Sequence, residues 1–283
     1  MAQILKGAPV VDAMNEANAA RCAALKEKGI VPTLAVVRVG AREDDISYEK
    51  GIVPRCGKVG VEVRQFHLAE DVTQEELLDV IRQINGDASV HGCLIFRPLP
   101  KRFDDRRVQE ALAPEKDVDG FHVMNAGKLL TGTGGFMPCT PYGVMKMIES
   151  VDYDLTGKEA VVVGRSNIVG KPQALMLLAK NATVTVAHSR TADLADVTRR
   201  ADVLIAAVGR AKMITGDMVK PGALVIDVGM NRDENGKLCG DVDTASVMGI
   251  AGWVSPVPGG VGPMTIAMLM TNTVEAVERR MNK

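Results

Sequence analysis

The sequence predicts an α/β protein of two domains: an N-terminal α/β domain that would hold a substrate and a C-terminal doubly wound parallel sheet. Three observations predict it. Apolar β-like runs alternate with amphipathic stretches through both halves, the pattern of parallel strands covered by helices. Aliphatic side chains dominate, with 46% hydrophobic but only 3% aromatic residues among 283. A tract rich in Gly, Thr and Pro, GKLLTGTGGFMPCTP (127–141), breaks all periodicity and reads as the linker between the domains.

The elements follow in order. Residues 9–28 read as a helix opened by Pro9, and TLAVVRVG (33–40) as a buried strand closed by Gly40. Around SYEKGIVPRCGKVG (47–60), Ile46, Val53, Cys56 and Val59 keep helical spacing, yet Gly51 and Pro54 break the pattern beside a lone Tyr48. VEVRQFHL (61–68) is a second strand. Thr73 and Glu76 form a capping box ahead of Leu77, Leu78, Ile81 and Ile84, with Gly86 as the stop. GCLIFRPLP (92–100) is a third strand that ends in prolines. Past the linker, EAVVVG opens a strand, glycine turn, helix and strand, and ADVLIAAVG (201–209) and GALVIDVGM (222–230) add two more strands. From Thr265 the chain is helical, with Met268, Val274 and Val277 apolar and Arg279, Arg280 and Lys283 near its end, where the helix dipole favours cations. The expected boundaries are 1–137 for the first domain and 138–264 for the second, with helix 265–283 packing back on the first.

Charge narrows the partners. With 34 basic and 35 acidic residues interspersed, the net charge of -1 gives no general attraction to nucleic acid or to an anionic membrane. A small molecule is the expected partner. The opening MAQILKGAPVVDAMNEAN lacks the apolar core of a signal peptide, and no apolar run reaches membrane-spanning length. The expectation is a soluble cytoplasmic protein. Five cysteines, odd in number and far apart, form neither a CxxC metal pair nor a disulfide framework, so buried thiols and no metal site are expected.

In VVVGRSNIVGKP, Gly164 directly follows a buried strand and Gly170 stands where a helix starts. The G-x5-G spacing differs from GxGxxG, so an ordinary strand-to-helix turn is the alternative. In its βαβ setting the turn reads as a pyrophosphate site, with exposed amides at the helix start and the Ser166 hydroxyl as donors. At the end of the next strand, HSRT places Ser189 and Arg190 where an adenosine ribose would lie, with no acidic residue for a 2′-hydroxyl. With Arg165 they make a cationic pocket for a 2′-phosphate. NADP is therefore expected over NAD, on a cofactor set of Gly164, Arg165, Ser166, Ile168, Val169, Gly170, Ser189 and Arg190.

Three more segments are too irregular for scaffold: PEKDVDGFHVMNAGKL (114–129), PCTPYG (138–143) and SPVPGGVGPMT (255–265). In the last, Pro256, Pro258 and Pro263 surround Gly259, Gly260 and Gly262, a rigid loop whose backbone can approach a flat ligand. On KDVDG, PCTP, GRSNIVGKP and PVPGGVGPMT, in order, the chain resembles the bifunctional methylenetetrahydrofolate dehydrogenase/cyclohydrolase family over essentially its whole length. The resemblance implies a homodimer of two-domain subunits, folate in a cleft and NADP on a Rossmann-like second domain. It implies oxidation of 5,10-methylenetetrahydrofolate to the methenyl cation and hydrolysis of that cation to 10-formyltetrahydrofolate. Asp119 would hydrogen-bond the pterin and Tyr48 would stack near the reacting carbon. The segment containing Pro258, Gly259, Gly260, Gly262, Pro263 and Thr265 would line the folate pocket, with Phe96 in its wall.

The resemblance also exposes a departure. The family pattern Y-x-x-x-K places a catalytic lysine four residues after the tyrosine, where this chain has Ile52. The glutamine that partners that lysine, in the family's V-Q-L-P-L-P strand, is replaced by Phe96, followed by Arg97. Two partnered polar groups have become apolar together, as a rebuilt pocket would require. A member lacking the lysine is expected to keep dehydrogenase activity and to have weak or lost cyclohydrolase activity. The alternatives are a fully bifunctional enzyme using a substitute residue, oxidation of another one-carbon carrier, or a non-catalytic folate- or nucleotide-binding subunit.

Overall fold

The computed structural model describes residues 1–282; Lys283, expected among the cations closing the last helix, lies outside the described residues. In chain order the first half contains β1 (Gln3–Ile4), α1 (Ala8–Glu27), β2 (Thr33–Val39), α2 (Glu43–Val59), β3 (Glu62–Leu68), α3 (Gln74–Gly86), β4 (Gly92–Ile95), α4 (Asp105–Ala111) and α5 (Val123–Thr131). There follow α6 (Cys139–Glu149), β5 (Glu159–Val163), α7 (Gly170–Ala179), β6 (Thr183–Ala187), α8 (Leu194–Arg199), β7 (Val203–Ala206) and β8 (Leu224–Asp227). The last elements are β9 (Asn231–Arg232), β10 (Leu238–Cys239), α9 (Thr244–Val247), β11 (Trp253–Val254) and α10 (Gly262–Met281).

Two compact units form. One combines Ala13–Met137 with the described residues from Ile266 on, around a parallel sheet in the order β3-β2-β4. One face of that sheet, with Ala35, Val37, Cys93 and Ile95, packs on Leu77, Leu78 and Ile81 of α3 and Val108 of α4. These are the residues that helical spacing put on the inner face of α3. Its capping box forms as Thr73 and Glu76 predict, each side chain bonding the other's backbone amide. The other unit combines Met1–Asp12 with Pro138–Thr265 around the order β1-β11-β8-β7-β5-β6. Its six strands pair in parallel, and β5, β7 and β8 are almost wholly buried, as strands covered on both faces must be.

Four sequence expectations change. Residues 1–12 fold with the second half, because Gln3 and Ile4 pair with Trp253 and Val254 as an edge strand. Both ends of the tract 127–141 are helical: α5 runs to Thr131 and α6 starts at Cys139, leaving 132–138 irregular between them. Gly132 ends α5 in the left-handed conformation, so a glycine read as linker is a helix cap. The third strand ends at Ile95, before the prolines. Helix α2 continues through Gly51 and Pro54, and Pro54 lies on its exposed side.

Candidate active site

The site residues expected from the first half gather on α2 and on the end of β4. Tyr48 and Ile52 are one turn apart on α2 and share a face. Ile52 is fully buried, while Tyr48 is half-buried with its ring edge-on to buried Phe96, centroids 5.8 Å apart and planes at 79°. Phe96 continues the strand by donating its amide to Val37 O at 2.9 Å. The paired rings of Tyr48 and Phe96 make this wall aromatic.

A small cavity of about 10 Å³, room for roughly one water molecule, lies in the same unit. Asp119 and Arg97 line it, with Asp117, Gln109 and Phe121 beside them. Arg97 is held on three sides: Nε donates to Asp105 at 3.0 Å, Nη1 donates to Ile95 O at 3.3 Å, and the guanidinium lies 5.4 Å from the Phe121 ring centroid. Asp119 is not the cap of a helix. His122 caps α5, accepting from Met124 N at 3.0 Å, and Asp117 accepts the amides of Phe121 and His122 at 3.1 and 2.7 Å. In KDVDG, buried Lys116 donates to the carbonyls of Ile84, Asn85 and Asp87 and so closes the C-terminal end of α3.

Sequence reasoning missed Glu49. It is buried beside Tyr48 and accepts from Arg38 Nε at 3.1 Å and Gln65 Nε2 at 2.9 Å, with His67 Nε2 at 2.8 Å. Burial pushes its pKa up, but the hydrogen bonds from Gln65, His67 and Arg38 outweigh burial and hold it below the usual value. The signal was available: Arg38, Gln65 and His67 are polar residues at strand positions of one parity, facing a helix carboxylate.

In the other unit, the turn after β5 stands where strand order reverses, with β6 on one side of β5 and β7 on the other. Such a switch point is where doubly wound sheets bind nucleotides. Gly164 has φ of 132°, and a Cβ there would come 2.2 Å from Ala207 O; one on Gly170 would come 2.2 Å from Gly164 O. Strand end and helix start touch through backbone alone, leaving a concave turn. The amides at the helix start are not open, as the sequence led one to expect. Ser166 Oγ accepts those of Val169 and Gly170 at 3.1 and 3.3 Å, so its hydroxyl proton is the outward donor. Arg165, Ser166, Ile168, Ser189 and Arg190 are exposed and Val169 is half-buried. The Arg190 amide is turned inward, onto His188 Nδ1 at 3.1 Å. Two exposed guanidinium groups and a turn with glycine at both ends at a switch point fit a phosphorylated dinucleotide.

The proline–glycine segment belongs to this unit. Pro258 and Gly259 are exposed, Gly259 O accepts from Gly7 N at 2.9 Å, and Gly260 is buried. Gly262, Pro263 and Thr265 lie in the first turn of α10, which starts three residues earlier than expected. Thr265 Oγ1 meets Thr140 Oγ1 at 3.0 Å. Among the described residues no cluster of His, Cys, Asp or Glu could hold a metal ion, and no helix is long and apolar enough to cross a membrane.

Comparison with known proteins covers both units. Residues 5–119 match the tetrahydrofolate dehydrogenase/cyclohydrolase catalytic domain, and residues 138–281 match the NAD(P)-binding domain of the same family. The bifunctional protein FolD of Acidovorax sp. (strain JS42) is 56% identical over 279 residues, 98% of this chain and 99% of that protein. The crystal structure of the bifunctional FolD methylenetetrahydrofolate dehydrogenase/cyclohydrolase from Campylobacter jejuni matches with a TM-score of 0.97 and 45% identity, over 99% of this chain and 100% of that one. The Trypanosoma brucei FolD enzyme, solved with NADP cofactor and inhibitor, matches with a TM-score of 0.95 and 33% identity, over 100% and 99% of the two chains.

Proposed function

Because the chain belongs to the tetrahydrofolate dehydrogenase/cyclohydrolase family, we propose that it oxidises 5,10-methylenetetrahydrofolate to the methenyl cation with NADP, and that it hydrolyses that cation weakly or not at all. The observation that carries the second half is Ile52, wholly buried one turn from Tyr48 where the resemblance puts the catalytic lysine.

In this reading Tyr48 and Phe96 wall the reacting end of the folate and Asp119 bonds the pterin. Arg165, Ser189 and Arg190 pair with the 2′-phosphate, and the turn from Gly164 to Gly170 holds the diphosphate. When bound, NADP supplies the hydride acceptor. Hydride loss from an N–CH2–N carbon is driven by the adjacent nitrogen lone pair, so the protein's task is alignment, which Tyr48 and Phe96 provide. Hydrolysis needs a base for water and an acid for the departing nitrogen, and a buried isoleucine offers neither. Loss of such a group typically costs about 10²–10⁴ in rate. The nearby cations are poor replacements: Lys50 and Arg55 are exposed, and Arg97 is tied to Asp105. The proposal includes a homodimer in the cytoplasm, with the folate site on the unit from Ala13 to Met137.

A second reading, hydrolysis through a substitute group, is supported by the bifunctional relatives at 56% identity, and Arg97 beside Asp119 is the group it would use. One assay separates the two. Purified protein receives methylenetetrahydrofolate and NADP, and reduced cofactor and methenyl product are recorded separately. The methenyl product should accumulate in step with NADP reduction. Hydrolysis that keeps pace with its formation refutes the first reading and supports the second.

A further inference from the structure

At the carboxyl ends of β7 and β8 two aspartates are almost wholly shielded, Asp227 at 1% and Asp241 at 0% exposure. Neither pairs with a cation in the described residues; both are spent on backbone amides. Asp241 Oδ2 accepts from Val208 N at 2.6 Å and Gly209 N at 3.1 Å, and its Oδ1 accepts from Arg210 N at 2.8 Å and Asn231 Nδ2 at 2.9 Å. Three consecutive amides of the turn after β7 therefore converge on one carboxylate. Asp227 Oδ1 accepts from Gly229 N and Asp241 N, both at 2.9 Å, and its Oδ2 accepts from Val242 N at 2.9 Å. Its own amide donates to Ser255 Oγ at 2.8 Å, directly before the proline–glycine segment.

The packing leaves no slack. A Cβ on Gly229 would lie 2.3 Å from Asp241 Cγ, and one on Gly240 would lie 1.8 Å from Asp227 Oδ2. Burying two carboxylates is costly, and apolar residues of similar volume would close a core at least as well. What a carboxylate does, and an apolar residue cannot, is fix several amides at once, and with them the direction of a turn.

The turns so fixed are 208–210 and 228–231, whose tips Gly209, Arg210 and Met230 are exposed. They sit past the carboxyl ends of β7 and β8, on the side of the switch point opposite β6. If the adenosine end lies over β6, with Ser189 and Arg190, the nicotinamide end crosses to β7 and β8. We infer that Asp241, backed by Asp227, is a positioning residue for the nicotinamide half of NADP, holding the turns that receive it. This rests on the reading that the unit binds NADP.

The test compares two ligands by equilibrium titration: NADP, and 2′,5′-ADP, which carries only the adenosine half. Asp241→Asn keeps the shape but turns an amide NH2 toward backbone N–H groups and loosens the turns, so its Kd for NADP should rise about tenfold. Its Kd for 2′,5′-ADP should stay within about twofold of wild type. Hydrogen exchange at Val208, Gly209 and Arg210 should quicken in the variant before any ligand is added. Asn231→Ala, which removes one donor and leaves the three amides in place, should show the same selectivity in smaller degree, and it decides the matter if Asp241→Asn does not fold. Equal weakening of both ligands, or no weakening of either, overturns the inference. Wild-type protein that binds neither ligand overturns the functional reading, and the inference with it.

Discussion

In the proposed reading, Ile52 and Phe96 are one change in two places. A lysine at position 52 would be fully buried, where desolvation disfavours its ammonium. Ile52→Lys alone should therefore do little for methenyl hydrolysis. If the two positions share the pocket as the proposed reading has it, adding Phe96→Gln supplies a hydrogen-bond partner, and the double variant should gain hydrolysis beyond the sum of the single changes. The check is methenyl decay measured for all four proteins of the cycle; strictly additive rates would show that the two positions do not act together. On the cofactor side, if Arg165 binds the 2′-phosphate as proposed, Arg165→Glu should raise the KM for NADP far more than that for NAD, since only NADP has that charge-assisted bond to lose. Steady-state kinetics with each cofactor decide it, and equal effects would remove Arg165 from the 2′-phosphate pocket.

At the scale of the element, α2 explains how a helix with Gly51 and Pro54 stays in register. Pro54 is on the solvent side, and Ile52, Cys56 and Val59 anchor the inner face. The polar anchor is Glu49, clamped by Arg38 with side-chain exposures of 11% for the arginine and 6% for the glutamate. Glu49→Ala would leave the Arg38 guanidinium buried without its carboxylate, a loss of about 3–5 kcal/mol. The urea midpoint should fall accordingly, and because Tyr48 is the adjacent residue, folate KM should rise while NADP affinity holds. The polar parity of Arg38, Gln65 and His67 was legible beforehand; the carboxylate they meet was not. Breaker residues announce a disturbed helix, but only the β2–β3 register places Arg38, Gln65 and His67 together under Glu49.

For the whole molecule, the two units carry buried titrating groups of opposite sense. His91, in the unit of β2 and β4, accepts from Thr33 N through Nδ1. Burial, with Arg280, Lys116 and Arg64 nearby and only Asp87 opposing, lowers its pKa from 6.5 to about 4. Its contribution is complete above pH 6.5 and is lost as pH falls toward 4, because the unfolded state then binds the extra proton. Burial raises Asp227 from 3.8 to about 6 against its amide donors, with the charge of Asp241 adding to the rise. There the folded state holds the extra proton, so stability is lost as pH rises from 3.8 through 6. Acidification from pH 6.5 toward 4 should thus weaken the β2–β4 unit and strengthen the β7–β8 unit. Hydrogen exchange, corrected for intrinsic rate, reads this strand by strand, and His91→Gln should flatten the first trend only.

The sequence by itself determined the α/β class, the strands and principal helices, and the family. Those features are local: strand and helix periods, caps, and motifs whose residues are neighbours in the chain. The tertiary structure decided the rest. It put residues 1–12 in the second unit and carried a helix into each end of the supposed linker. It spent Ser166 on its own helix, and gave Glu49, Asp227 and Asp241 their partners. Each of these depends on which strand lies beside which, so a buried carboxylate reads as an ordinary surface charge until the backbone amides or guanidinium groups that satisfy it are folded against it.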